Sequence, residues 1–174
     1  RLVAGLALRA HVYDPEVTRA IYPFPDQLVV DAKAAEGARV TIFSPEQVDY
    51  LVPPKRLHAT STCDGAIDTI SPTLTPGVYR ATGWIYDKED GRVPRDVIVT
   101  DANGISIGTG VTGGISSEGA NEAGRRARYS GWTAFFQKPA AGDAQFSARI
   151  SGGDYCRMKL GAIRTAATTP LSLD

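Results

Sequence analysis

The sequence GVYRATGWIY, residues 77–86, decides the fold class. Its residues alternate with the period of a β-strand. One face carries Val78, Arg80, Thr82 and Trp84, and the other carries Tyr79, Ala81, Gly83 and Ile85. Similar short segments follow the same rule at 66–70, 96–100, 105–109, 128–137, 145–150 and 155–163. With turn-forming glycines and prolines between them, these segments predict a mainly β domain of about seven strands.

No helical segment is expected between these strands. Parallel strands need long crossover connections, so the sheet is predicted to be antiparallel. About seven such strands most often form a two-sheet sandwich, so we predict a jelly-roll, immunoglobulin-like or lectin-like sandwich over residues 61–165. The Gly- and Ser-rich residues 110–124 predict a long loop.

Two segments resemble each other: YRATGW at 79–84 and ARYSGW at 127–132. Each leads into a predicted hairpin. Two equivalent strands of one sandwich explain the likeness without an internal duplication.

Residues 1–60 differ from the rest of the chain. The Asp-Pro-Glu at 14–16 predicts a helix start, and a second helix is predicted from Pro25 to a stop at Gly37. A short strand is predicted at 39–43 and a helical turn at 44–51, before a Pro-Pro linker. We therefore predict a helical and mixed segment at 1–60, with helices confined to residues before about 55. Residues 166–174 are predicted to be a frayed tail.

The opening residues 2–8 are apolar but far shorter than the roughly 18–20 residues that span a bilayer. Two interpretations stay open: the exit end of a transmembrane helix that precedes this chain, or an ordinary buried helix or strand. The first residue is Arg1 rather than Met, so we expect an excised fragment.

The two cysteines, Cys63 and Cys156, are too far apart in sequence for a local redox motif or a zinc knuckle. They form either one long-range disulfide or two buried thiols. Because each lies beside a predicted strand, we favour the disulfide, which would lower unfolded-state entropy by about 4–5 kcal/mol. A disulfide would also indicate an oxidising compartment.

Composition and motifs argue against several functions. Nineteen basic residues balance nineteen acidic ones, so no overall field attracts nucleic acid. The G-x-G-x-x-G at 108–113 lacks the helix that a dinucleotide site needs. The only two histidines are His11 and His58, and no serine stands in a G-x-S-x-G motif. We therefore assign no catalytic residue, no cofactor and no metal, and expect acidic residues such as Asp87 and Asp90 to lie in polar turns.

Aromatic residues on the two longest predicted strands suggest a ligand. Sugar sites pair an aromatic ring with polar groups that bind hydroxyls. The candidate ligand-binding residues are Trp84, Tyr86, Asp87, Arg125, Arg126 and Trp132. The alternative is that both tryptophans belong to the core. Trp84 and Tyr86 share a side of their strand, so if one faces the core, the other does too.

An ordered set of motifs supports an extracytoplasmic setting. It comprises CDGAID at 63–68, GWIYD at 83–87, VIVTDANG at 97–104, SGW at 130–132 and the late Cys156. This set resembles the soluble C-terminal domains of polytopic bacterial inner-membrane proteins, some of them glycosyltransferase-like. An Arg-Asp pair that follows the glycine loop in that pattern is absent here. The resemblance implies a periplasmic accessory domain with a Cys63–Cys156 bond and no defined activity.

Together these observations predict a non-catalytic accessory domain of a membrane protein on the periplasmic or extracellular face. The expected partners are a glycan or cell-envelope polysaccharide and the membrane-embedded part of the parent protein. The alternative is a structural or protein-interaction domain without a small-molecule ligand. Exposed aromatic rings beside polar groups would favour a glycan, whereas buried tryptophans with a flat apolar patch would favour a protein partner.

Overall fold

The fold was analysed on a computed structural model, which describes residues 2–13, 15–19, 22–44, 54–140 and 142–159. Helices α1 (Leu2–Arg9), α2 (Pro15–Thr18) and α3 (Pro25–Ala38) come first. The strands are β1 (Ser61–Pro72), β2 (Val78–Tyr86), β3 (Asp96–Thr100), β4 (Ser106–Gly114), β5 (Gly131–Gln137), β6 (Gln145–Arg149) and β7 (Tyr155–Met158). Helix α4 (Ser117–Ala123) and a 3₁₀ helix (Arg125–Tyr129) connect β4 to β5.

The described strands form one closed barrel in the order β1-β2-β5-β4-β3-β6-β7. The mainly β prediction is therefore confirmed, but the structure has a barrel where we predicted a two-sheet sandwich. The all-antiparallel prediction is wrong at one seam, where β1 pairs with β7 in parallel through Ser61↔Cys156 and Cys63↔Met158. Without this pairing β1 and β7 would be edge strands. Closure gives each of them a hydrogen-bonding partner and is therefore favoured over two open edges.

The barrel interior combines large and very small side chains. Trp132 and Phe146 pack with ring centroids 5.4 Å apart, and Phe136 meets Phe146 edge-on at 5.7 Å. Ala81, Ala134 and Ala148 belong to the same interior cluster and are fully buried. A narrow barrel has room for three large rings only where its other interior positions are small.

The helices pack on the outside of the barrel. In α1, Leu6 and Ala7 cover Phe135 of β5, and Val12 joins the same cluster. Helix α3 lies against α1 through a cluster that contains Leu8 and Leu28. None of the helices in the described part of the chain has the length and apolar composition that a membrane span requires.

Three local predictions need correction. Residues 110–124 are not one loop, because β4 continues to Gly114 and α4 follows. Helices therefore also occur after residue 55. Residues 41–43 form a 3₁₀ turn rather than part of a strand. The predictions for 45–53 and 160–163 lie outside the described residues, as does the tail at 166–174, and the division of the chain near residue 60 stays a prediction.

The predicted disulfide is confirmed. Cys63 of β1 and Cys156 of β7 are bonded, with Cα atoms 5.4 Å apart and a sequence separation of 93. Both residues are fully buried in the barrel core. The bond lies beside the parallel seam and joins the same two strands covalently.

Candidate functional site

The two similar segments found in the sequence meet only at their final Gly-Trp residues, because residues 125–129 form the 3₁₀ helix rather than the start of β5. Gly83 lies opposite Trp132, and Trp84 lies opposite Gly131, in the antiparallel β2–β5 ladder. Trp132 belongs to the barrel core, whereas Trp84 belongs to a separate cluster with Tyr86. The two predicted tryptophans therefore do not share a face.

A thin helical layer covers Trp84 and Tyr86. Ala127 of the 3₁₀ helix is fully buried against them, with Val93 and Ala123 packed at the margin. Each of the two aromatic residues is only 5% exposed. The open aromatic face expected from the sequence is covered in the described structure, and ligand binding by these residues stays a prediction.

One other predicted residue, Arg126, approaches this cluster. At Gly91, the position of a Cβ atom would be 3.8 Å from Arg126 Nη1 and 4.0 Å from Tyr86 Oη. Arg126 and Tyr86 therefore both lie close to Gly91. Arg125 is exposed on the 3₁₀ helix.

Asp87 holds the turn between β2 and β3. Its Oδ1 accepts hydrogen bonds from the backbone N–H of Glu89 at 3.0 Å and of Asp90 at 3.3 Å. Arg92 exchanges two backbone hydrogen bonds with Asp87, and its side chain donates to Asp90 at 2.7 Å. The hydrogen bond from Ser151 and the nearby Arg92 charge lower the pKa of Asp90. These contacts give Asp87 a clear structural role.

A crevice of about 320 Å³ opens beside Trp84. We call it the Trp84 crevice, and it is lined by Asp64, Gly65, Ala66, Trp84, Lys88, Glu118, Glu122 and Lys159. The indole N–H of Trp84 is buried and has no hydrogen-bond partner among the described residues. The crevice thus combines one large ring with several charged groups.

Charge in the crevice is partly paired. Lys88 forms an ion pair with Asp64 across the β1–β2 ladder. The hydrogen bond and charge of Asp64, and the charge of Glu122, raise the pKa of Lys88. Three carboxylates face two ammonium groups, so the lining carries a net negative charge at neutral pH.

Two other cavities are less polar. One of about 490 Å³ lies beside Val3 and Ile115 over the glycine-rich ends of β4 and β5. The other, of about 310 Å³, lies between α1 and β4–β5 and is lined partly by Arg9 and His11. In the described residues no group of three or more His, Cys, Asp or Glu side chains could hold a metal ion.

Sequence reasoning found Trp84 but missed most of its neighbours. Asp64 stands in the sequence analysis only within the CDGAID motif, and Glu118 and Glu122 lie in a segment predicted to be a loop. A scan against protein-family models and searches of curated proteins and of solved structures found no match to this chain. We therefore infer function from the residues around Trp84.

Proposed function

We propose that this chain is a non-catalytic accessory domain of a membrane protein, placed on the periplasmic or extracellular side, and that it binds a neutral glycan in the Trp84 crevice. The observation that carries the proposal is a buried indole donor without a described partner beside a crevice lined with carboxylate and ammonium groups. Buried donors are almost always paired in folded proteins. A ligand hydroxyl in the crevice would supply the missing acceptor.

The chemistry of the lining suits a polyhydroxylated ligand. Sugar hydroxyls both donate and accept hydrogen bonds, so Glu118 and Glu122 can accept while Lys159 donates. The indole ring adds apolar contact for the C–H face of a pyranose. Because the lining is net negative, a neutral sugar is favoured over an anionic one. Affinity near millimolar, about −4 kcal/mol, is expected for so shallow a site.

The compartment is supported by the buried Cys63–Cys156 bond, since structural disulfides persist outside the reducing cytosol. The tether to a membrane is supported by the motif resemblance described in the sequence analysis. On this proposal the second partner is the membrane-embedded part of the parent protein.

Saturation-transfer NMR with a panel of neutral oligosaccharides tests the glycan site on the disulfide-intact chain. Glu118→Gln should weaken binding about tenfold, because hydrogen bonds to charged groups contribute roughly 1.5–3 kcal/mol. Trp84→Phe removes the indole N–H but keeps an aromatic ring, and it should also weaken binding. The matched control is Glu89→Gln, the same change at an exposed turn residue outside the crevice. No transfer from any sugar to folded wild-type protein would reject the glycan site.

The second candidate is a structural or protein-interaction domain. Burial of both tryptophans favours it, as do the exposed Phe24 and Val30, which are 64% and 65% exposed. Hydrogen exchange on the full-length parent would show protection around α3 if this surface is an interface. Protection there together with a negative glycan screen would select this candidate.

A further inference from the structure

We propose that one end of the barrel docks on an anionic lipid bilayer through Ile115, Arg125, Arg126, Arg128 and Tyr129, which we call the arginine rim. The rim is distinct from the Trp84 crevice. The inference rests on the proposed function only for its membrane-tethered setting, and its chemistry comes from the five residues themselves.

Local geometry brings the five residues together. The backbone N–H of Ser116 donates to Arg128 O at 2.8 Å, which holds Ile115 beside the 3₁₀ helix. In a 3₁₀ helix side chains three residues apart are eclipsed. Arg125 and Arg128 therefore lie on one side of the helix and Arg126 and Tyr129 on another, while Ala127 is fully buried.

The rim exposes apolar surface. Ile115 is 72% exposed and Tyr129 is 55% exposed. The guanidinium carbon of Arg128 lies 5.7 Å from the centroid of the Tyr129 ring. Exposed aliphatic and aromatic groups beside arginines are typical of protein surfaces that rest in the headgroup region of a membrane.

The charge of the rim is not neutralised within the described structure. None of its three arginines forms an ion pair with a described residue. The nearest acidic residues in sequence, Glu118 and Glu122, line the Trp84 crevice, where Glu122 acts on Lys88. Three unpaired guanidinium groups complement an anionic surface.

The position of α1 is consistent with the rim end of the barrel facing the membrane. The cavity of about 490 Å³ is lined by both Val3 and Ile115, so the first turn of α1 lies at the rim end of the barrel. The opposite end carries the turn between β1 and β2, with Leu74 73% exposed. Lys138 lies at that same opposite end, where its N–H donates to Gly77 O at 2.9 Å.

Co-sedimentation of the full chain with large unilamellar vesicles tests the proposal. We expect binding to vesicles of phosphatidylcholine mixed with phosphatidylglycerol, little binding to phosphatidylcholine alone, and weaker binding as salt is raised. Arg128→Gln should lower the partition coefficient about fivefold, the typical effect of one basic residue near an anionic surface. Ile115→Ser should lower the partition coefficient by more than Arg128→Gln does.

Each rim variant has a matched control at the opposite end of the barrel. Lys138→Gln removes a charge as Arg128→Gln does, and Leu74→Ser removes an exposed aliphatic group as Ile115→Ser does. Both controls should leave vesicle binding unchanged. Failure of the wild-type chain to bind anionic vesicles, or equal losses in rim and control variants, would overturn the proposal. Glycan binding measured on the same samples shows separately whether the proposed function holds.

Discussion

Trp84 and Trp132 stand in similar sequences and are both almost fully buried. The indole N–H of each has no hydrogen-bond partner among the described residues, yet the two rings lie in different surroundings. Trp132 is enclosed by the hydrogen-bonded wall of the barrel and packs on Phe146. Trp84 lies outside that wall, beneath one seven-residue helix and a 3₁₀ turn, beside a polar crevice.

Two almost fully buried rings therefore lie under covers of different kinds, so burial alone does not decide which of them a ligand could reach. A ring inside a closed barrel can be uncovered only by breaking strand pairs. A ring beneath a short helical layer can be uncovered by a small local movement, because such a layer has few buried contacts to lose. The Trp84 side and the Trp132 side of β2 are therefore similar in solvent exposure. They differ mainly in how stable the structure that covers each ring is.

The largest effect is expected on the Trp132 side, from removal of the disulfide. The double variant Cys63→Ala/Cys156→Ala should lower the free energy of unfolding by about 4–5 kcal/mol, because the bond closes a loop spanning 93 residues. Urea unfolding monitored by circular dichroism measures it. A loss below about 1 kcal/mol would mean that the parallel seam holds the barrel closed without the bond.

Truncating each tryptophan compares the two surroundings directly. Trp132→Ala should cost about 3–5 kcal/mol, since the barrel wall cannot collapse into the space left behind. Trp84→Ala should cost less, about 2–3 kcal/mol, because α4 and the 3₁₀ helix can settle toward β2. Chemical denaturation of both variants provides the measurement. Equal losses of stability in the two variants would contradict the prediction that α4 and the 3₁₀ helix can move to fill the space left by Trp84.

Gly83 lies on the Trp132 side of β2, directly against the ring of Trp132. A side chain added there tests how tightly this side of the strand is packed. A Cβ atom there would lie 2.8 Å from Trp132 Cζ2 and would also collide with the backbone oxygen of Ala66. Gly83→Ala should therefore cost about 3 kcal/mol. In contrast, Gly37→Ala in α3 meets nothing within 4 Å and should stabilise by up to about 1 kcal/mol through helix propensity. A tolerated Gly83→Ala would show that the ladder adjusts at this point.

The smallest effect concerns charge. Lys88 and Asp64 pair beside Trp84, whereas Asp96 is buried at the start of β3, where desolvation raises its pKa despite Arg149 at 3.5 Å. An acid whose folded-state pKa is raised contributes most to stability below its unfolded pKa near 3.8, and that contribution falls as pH rises through the folded value. Asp96→Asn should remove the loss of stability that this group causes as pH rises above about 3.8. If the free energies of unfolding of the wild-type protein and of Asp96→Asn showed the same dependence on pH, this prediction would be wrong.

Much of the fold was predictable because its signals are local. Alternation along residues 77–86 correctly placed β2, and residues 96–100 matched β3. Cysteines beside two strands indicated the disulfide. Helix α4 was missed because only Gly119 of its seven residues is buried, so the helix shows no apolar period.

The barrel and the crevice depend on contacts between distant parts of the chain. Closure requires residues 61–63 to pair with residues 156–158, and no local pattern indicates that register. The crevice lining comes from β1, β2, the turn after β2, α4 and the residue after β7. The sequence therefore indicated an important aromatic residue, but it did not indicate the charged groups that surround it.

The parallel seam also constrains how the protein is made. One edge of β1 pairs with β2, and its other edge pairs with β7. The barrel therefore remains open until the ribosome or a secretion channel has released residue 158. Until then both β1 and β6 present an unpaired edge, and strands in that state are prone to join other chains. A chain that crosses a membrane unfolded therefore depends on oxidation and closure at the end of its passage. On the proposed extracytoplasmic location, slowing the oxidant during export should shift the product from monomer to aggregate.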